Sequence, residues 1–337
     1  MGGTETYVRG LLPRLARRSD LALIALLPST VSANGLEAEV RRERWGTAPG
    51  AVRRLLTTAR LLLPGGPRRH ARYHDVVHYP FTVALPPSGR TPYVVTLHDV
   101  QHRALPEHFS RAERLYRRWA YDRTARRAAA VITDSEFSKD EIVRLLRIPP
   151  ERIHVIRLGM DPSFTPHYGE RDNFVLYPAR RWPHKNHARL LEAMERLRVE
   201  DPTLTLVLTG GGAPLPDAPH WVEQRGLVSP EELRDLYRRA ACLAYPSTYE
   251  GFGLPALEAM ASGCSVAVSE LGALAEVCGD HAETFDPLDP QAIADAIRRA
   301  MHMTPSARAR AASWSQEFTW ERAAEAHAAV FRAVSLR

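Results

Sequence analysis

The sequence predicts an α/β protein made of two doubly wound, Rossmann-like domains, and three observations predict it. Short apolar runs suited to buried parallel strands alternate with stretches of helical periodicity. The alternation stops once, at the breaker-rich loop Gly159 to Gly169 with Pro162 and Pro166, and then restarts. At 337 residues the chain is long enough for two domains of ordinary size. The expected division is an N-terminal domain over 1–162, a C-terminal domain over 170–315, and a final helical segment over 316–337 that packs back toward the first domain.

In order, Gly2 and Gly3 open a helical pattern through Val8, Leu11, Leu12 and Leu15 that ends near Arg18. Strands are expected at Leu21 to Leu27, Asp75 to Tyr79, Tyr93 to Leu97, Ala129 to Thr133 and Arg152 to Ile156. Between the first two, Val52, Leu55, Leu56, Ala59, Leu62 and Leu63 share one helical face while Arg53, Arg54 and Arg60 share another. A sheet-covering helix with a solvated basic face explains this pattern; docking on anionic lipid is its sharper alternative. Beyond the loop, strands are expected at Phe174 to Tyr177, Leu204 to Leu208, Cys242 to Tyr245 and Ser265 to Val268, with helices starting at Asn186, Pro230 and Pro255. Pro290 to Met301 and Thr319 to Ala333 also read as helices.

The bulk composition narrows the function. The net charge of +6 favours anionic partners, but aromatic residues are not interleaved with the bases as a nucleic-acid module requires. No apolar run reaches the ~18 residues that span a bilayer, and no secretory signal pattern is present, so a cytoplasmic location is expected, with peripheral contact at the inner face of the membrane as its extension. Cys242, Cys264 and Cys278 form neither a C-x-x-C pair nor an even set, which argues against a disulfide framework or a zinc ribbon. His98/His102 and His70/His74/His78 have i,i+4 spacings, yet neither group has a third ligand of clear geometry, and no metal is expected.

Ligands of open α/β sheets bind at the carboxyl ends of the strands. At those ends the sequence places His98 and Asp99, then Arg180, Arg181 and Lys185, then Gly210 to Gly212, then Glu250. Gly251 and Gly253 allow a sharp turn after Glu250, and Pro255 suits the first turn of the helix that carries Glu258. Cations and N–H donors suit a diphosphate leaving group, on which negative charge builds up. Carboxylates suit vicinal hydroxyls, which donate to them at two points. Lysine occurs only at Lys139 and Lys185 in a chain otherwise basic through arginine, a mild sign that arginine would not serve there. Asp99 is placed to orient His98.

The stretch Pro246-Ser-Thr-Tyr-Glu-Gly-Phe-Gly-Leu-Pro-Ala-Leu-Glu-Ala-Met-Ala-Ser-Gly263, with Arg180-x4-Lys185 and Arg225-Gly-Leu-Val-Ser-Pro-Glu-Glu-Leu233, resembles the retaining GT-B glycosyltransferases of family 4. In the first half the resemblance rests on Gly2-Gly3, His98-Asp99 and Ile132-Thr-Asp-Ser-Glu-Phe-Ser-Lys139. It implies a C-terminal domain for a nucleoside-diphosphate sugar and an N-terminal domain for the acceptor, a sugar or lipid-linked hydroxyl. By position, Glu258 would hold the ribose, Glu250 the donor sugar, and Arg180 and Lys185 the diphosphate, with Arg181 an alternative to Arg180. Gly251, Phe252 and Gly253 would add backbone N–H groups, the loop Gly226 to Val228 would contact the base, His98 would touch the transferred sugar or its oxygen leaving group, and Gly3 would lie under the phosphates, with Gly2 and Leu254 as further substrate-binding residues. Such enzymes need no bound metal. One departure stands out: the family places a strand before the glycine pair, and this chain begins at the glycines, which implies a start further upstream or a truncated product.

The expected activity is therefore hexosyl transfer, with mannose suggested by the similarity of His98 to Ser110 and Trp182 to Asn186 to mannosyltransferase-type members. The alternative is a sugar-nucleotide binder without catalysis.

Overall fold

A computed structural model describes residues 3–28, 39–43, 73–85 and 87–336. Gly2, His70 and the basic amphipathic segment 52–63 lie outside the described residues. The chain divides into two compact units. One holds 1–134, 138–159 and 320–337, and the other holds 135–137 and 160–319.

In the N-terminal unit, helix α1 (Gly3–Ala16) precedes strands β1 (Ile24–Pro28) and β2 (Glu39–Glu43), which pair with each other in parallel. Strands β3 (Val77–Tyr79), β4 (Tyr93–Thr96), β5 (Ala130–Thr133) and β6 (Ile153–Val155) form a separate four-stranded parallel sheet in that order. Between β4 and β5 lie α2 (Gln101–Ala104), α3 (Arg111–Arg117), a π-turn (Arg118–Asp122) and α4 (Arg123–Arg127); α5 (Glu136–Leu146) follows β5. Val95, Leu97, Val131, Ile142, Leu146 and Ile153 build the core between sheet and helices.

The C-terminal unit has one six-stranded parallel sheet. Its strands are β7 (Asp172–Pro178), β8 (Thr205–Thr209), β9 (Val222–Gly226), β10 (Ala240–Tyr245), β11 (Ser265–Ser269) and β12 (Glu283–Phe285), in the spatial order 12-11-10-7-8-9. The first strand of the unit is thus central, and the chain order reverses between β7 and β10. Covering helices are α6 (His187–Glu200), α7 (Pro230–Arg239), α8 (Leu254–Ala261), α9 (Leu274–Cys278), α10 (Pro290–Met301) and α11 (Pro305–Ser315). Residues 174–177 and 242–245 are wholly buried, as strands covered on both faces must be.

The final helix, α12 (Trp320–Ser335), belongs to the N-terminal unit. Trp320 packs where a Cβ on Gly10 would lie 2.1 Å from its indole and a Cβ on Gly159 would lie 2.2 Å from its backbone nitrogen. Only glycine leaves room for that approach.

Candidate functional site

The crevice of an open parallel sheet opens where the strand order reverses. In the C-terminal unit that point lies between the carboxyl ends of β7 and β10, and the loops after these two strands carry Lys185 and Glu250. The loops are tied together: Thr248 N–H donates to the His184 carbonyl at 2.8 Å, and Asn186 Nδ2 donates to the carbonyls of Pro246 at 3.1 Å and Pro287 at 2.7 Å. Asn186 makes the corner in the left-handed region, at φ 57°. The Tyr177 hydroxyl donates to the Lys185 carbonyl at 2.7 Å, which fixes the backbone from below. On the other loop, Gly272 comes so close to the Glu250 backbone that a Cβ would lie 2.9 Å from its nitrogen.

These constraints bring together side chains 65 positions apart. Lys185 Nζ forms an ion pair with Glu250 Oε1 and donates to the Tyr245 hydroxyl at 3.2 Å. The Lys185 and Glu250 side chains are only 11% and 14% exposed, so the pair is desolvated enough for each charge to matter to its neighbours. Burial, and then the charges of Arg181 and Lys185, push the neighbouring His187 down to about 4. Arg181 donates to the Pro214 carbonyl, whereas the exposed Arg180 guanidinium has no hydrogen bond or ion pair among the described residues.

Glu258 lies on α8, whose start is set by Gly253 at φ 120°, with Pro255 in the first turn. It accepts a hydrogen bond from the Tyr237 hydroxyl at 3.0 Å. Burial raises its pKa from 4.5 to about 7, against the lowering effect of Tyr237 and with a further rise from Asp161. Tyr245, at the end of β10, feels both carboxylates: burial raises its pKa well above 10.0, with Glu250 and Glu258 adding to the rise. The unit therefore holds a compact set of Lys185, Glu250, Tyr245, Tyr237 and Glu258. Residue type and position in the sequence point to Lys185, Glu250 and Glu258; Tyr237 and Tyr245 carry no such signal.

On the same unit, Gly210 (φ +123°) runs so close to β7's loop that a Cβ would lie 2.8 Å from the Ala179 carbonyl carbon. Its N–H donates to the Gly226 carbonyl at 2.7 Å. Gly226 ends β9, a strand that is not among those expected from sequence; Val228 is half-buried just beyond it. Phe252 and Gly253 are buried, and Gly251 and Leu254 are half-buried.

In the N-terminal unit Gly3 is the first residue of α1. Strands β4 and β5 pair with Thr96 opposite Ile132, so two residues further on His98 and Asp134 emerge side by side. His98 Nδ1 and Asp134 Oδ2 are 2.7 Å apart, and Asp134 is 3% exposed. This corrects the expectation for Asp99: its Oδ1 instead accepts the Gln101 N–H at 3.0 Å, and Asp134 holds the imidazole. Burial lowers the His98 pKa, but the charge and hydrogen bond of Asp134, then Asp99 and the Pro80 carbonyl, outweigh it, so the net shift is upward from 6.5. Nε2 is buried without a hydrogen-bond partner among the described residues.

His98 also meets the Tyr7 ring edge-on, at 4.9 Å between centroids. The Tyr7 hydroxyl lies 2.8 Å from Thr96 Oγ1 and 2.7 Å from His327 Nε2. Because His327 Nδ1 sits 2.7 Å from the Ala323 carbonyl it must carry the proton, which makes Nε2 the acceptor of the Tyr7 O–H. Burial pushes His327 down to about 4, consistent with a neutral ring. His78 lies 2.9 Å from Thr96 Oγ1, and desolvation holds it well below 6.5. His102 pairs with Asp122 at 2.8 Å, so His98 and His102 serve different carboxylates.

Asp134→Asn is expected to lower the His98 pKa. A histidine raised in the folded state contributes stability below its unfolded pKa of 6.5 and loses it as pH rises through the folded value. The variant should therefore lose stability below pH ~6.5 relative to wild type and converge on it at alkaline pH. Melting temperatures across that range check this, and parallel curves would refute it.

Two parallel-sheet units, one with a lysine–carboxylate pair where its strand order reverses and a second carboxylate on the following helix, are thus on hand for comparison with known proteins. A model of glycosyl transferases group 1 matches residues 165–316, and one of glycosyltransferase family 4 matches residues 1–164. O-antigen chain mannosyltransferase B of Escherichia coli is 30% identical over 285 residues, 76% of this chain and 74% of that protein. The MMP alpha-(1->4)-mannosyltransferase of Mycolicibacterium hassiacum is 35% identical over 185 residues, 50% of this chain and 45% of that one. Among solved structures, sucrose-phosphate synthase of Thermosynechococcus elongatus superimposes with a TM-score of 0.75 at 20% identity, covering 99% of this chain and 94% of that chain. Anabaena HepE in complex with UDP-glucose does so with a TM-score of 0.73 at 19% identity, covering 99% and 96%. The chain belongs to the group 1 glycosyl transferases and is a hexosyltransferase.

Proposed function

We propose that this enzyme transfers a hexose, with retention of anomeric configuration, from a nucleoside diphosphate to a sugar or lipid-linked hydroxyl on the cytoplasmic side of the membrane. The observation that carries the reading is the desolvated Lys185–Glu250 pair beside Tyr245, with Arg180 free nearby and Glu258 on the adjoining helix. In this reading the bond from the anomeric carbon to the diphosphate oxygen breaks while the acceptor oxygen bonds to that carbon from the same face. The acceptor proton leaves with the diphosphate. Lys185 and Arg180 supply the positive charge that the departing diphosphate needs, so no metal is invoked. Glu250 accepts from hydroxyls of the donor sugar and Glu258 from the ribose. Phe252 and Leu254 line the donor, the N–H groups of Gly251 and Gly253 add donors to it, and Val228 meets the base. The N-terminal unit takes the acceptor, with His98 assigned to the transferred sugar and Asp99 beside it, and Gly2 and Gly3 assigned to the phosphates.

Mannose is the proposed sugar and GDP-mannose the proposed donor, because two relatives similar to this chain are named as mannosyltransferases. A panel of nucleotide sugars tested by shift in melting temperature decides this without an acceptor. A donor at about a hundredfold its Kd stabilises the fold by ~2.7 kcal/mol, and GDP-mannose is expected to give the largest rise. No shift with any nucleotide sugar would overturn the reading.

A further inference from the structure

We propose that the outer face of the helical stretch 111–127, in the N-terminal unit, is the surface by which this enzyme rests on an anionic lipid bilayer. This goes beyond the assignment of donor and acceptor and does not depend on it. α3 runs through the π-turn Arg118–Asp122 into α4. Its inner side is anchored by buried Ala120, Asp122, Thr124 and Ala125. Asp122 takes Arg103 Nε at 2.7 Å and His102 at 2.8 Å.

The outer side is unlike an ordinary solvated face. Leu115 is 67% exposed, Tyr116 48% and Trp119 47%. At ~100° per residue these three share an arc of about 100°, and Arg111 and Arg118 lie within ~60° of Leu115 on its flank. The stretch holds seven arginines against Glu113 and Asp122. Both acids are engaged, Glu113 by Arg117 and Asp122 by Arg103, which leaves Arg111, Arg114 and Arg118 without an ion pair among the described residues. Arg117 also stacks on Phe109 and Tyr121, at 4.5 Å and 5.3 Å from their ring centres.

An apolar ridge of Leu, Tyr and Trp bordered by unpaired arginines matches the interfacial layer of a membrane. Tryptophan and tyrosine place an apolar body and a polar tip at the headgroup level, and arginines keep their heads among lipid phosphates while their stems cover apolar surface. Charge decides against the competing occupants. A second copy of the chain would bring like-charged arginines together, and a nucleic-acid backbone gives the protruding Leu115 nothing apolar to cover it.

Co-sedimentation with vesicles of phosphatidylcholine alone, and of phosphatidylcholine with about 30% phosphatidylglycerol, tests this with the whole chain and no donor present. Wild type is expected to partition at least about tenfold better onto the anionic vesicles. Leu115→Ala/Trp119→Ala and Arg111→Glu/Arg118→Glu should each lose roughly tenfold of that binding or more, while Arg196→Glu, an exposed change in the other unit, should keep it. Equal partition onto both vesicles, or unchanged binding in both double variants, overturns the proposal. So does a dimer seen by light scattering that dissolves in Leu115→Ala/Trp119→Ala. Should that double variant fail to fold, the single Trp119→Ala carries the same decision. Because nucleotide-sugar binding is measured separately, loss of either assignment leaves the other standing.

Discussion

Lys185→Ala is expected to lower kcat/KM for the donor by about a hundredfold or more. Removing one group that stabilises developing charge commonly costs ~3 kcal/mol in the transition state, which is a factor of about a hundred. The change also strands Glu250, whose side chain is 14% exposed, without its cation. For that reason part of the loss should return when the stranded charge is removed as well. In the cycle of Lys185→Ala, Glu250→Gln and the double variant, the effects should be strongly non-additive. Lys185→Arg should rescue poorly, since a planar fork does not fit where one Nζ meets Glu250 and the Tyr245 hydroxyl at 3.2 Å. Release of nucleoside diphosphate measures the wild type and all four variants. Wild-type rates in Lys185→Ala would remove the pair from the mechanism.

Glu258→Gln is expected to act in opposite directions on stability and on function. In wild type the folded-state pKa of about 7 lies above the ordinary 4.5, so burial favours the protonated form. A raised carboxyl gives its full stability below pH 4.5 and loses it as pH climbs from 4.5 to 7. The loss amounts to ~3 kcal/mol above pH 7 by the usual 1.36 kcal/mol per unit. A neutral amide avoids that cost. The variant should therefore melt several degrees above wild type at pH 8 and close to it at pH 4.5 to 5, a gain of ~2–4 °C per kcal/mol. Its donor affinity should fall by about tenfold or more, because charge-assisted bonds to hydroxyls contribute ~1.5–3 kcal/mol each. Scanning calorimetry and donor titration on the same samples check both halves. A stability difference independent of pH would contradict the first half, and unchanged affinity the second.

The strands that carry the donor loops were legible because burial on both faces forces continuous apolar runs, as in Phe174 to Tyr177 and Cys242 to Tyr245. Their true spans, Asp172–Pro178 and Ala240–Tyr245, extend into polar or small residues that carry no such signal. β9 is missing from the strands expected from sequence because Glu223, Gln224 and Arg225 follow Val222 on an edge strand, where one side needs no apolar cover. Lys185, Glu250 and Glu258 stood out by residue type at strand and helix ends. Their partners did not. Asp134 lies 36 residues from His98 and reaches it only through the register of β4 and β5, while the adjacent Asp99, the obvious choice by proximity in sequence, turns to its own backbone neighbour. Tyr237 and Tyr245 look like any buried aromatic until tertiary structure shows which carboxylates they face.

The anchoring of Trp320 against Gly10 and Gly159 bears on how the chain is made as well as on how it is held. The N-terminal unit is assembled from segments on both sides of 160–319. A ribosome releasing this chain presents α1, β3, β4 and β5 long before it presents the Trp320 and His327 that close over them. The C-terminal unit can complete its sheet during synthesis; the N-terminal one must wait for the last helix, with Tyr7, Leu11 and Leu15 unshielded meanwhile. The unit whose strands come first in the chain is therefore the one whose packing is completed last.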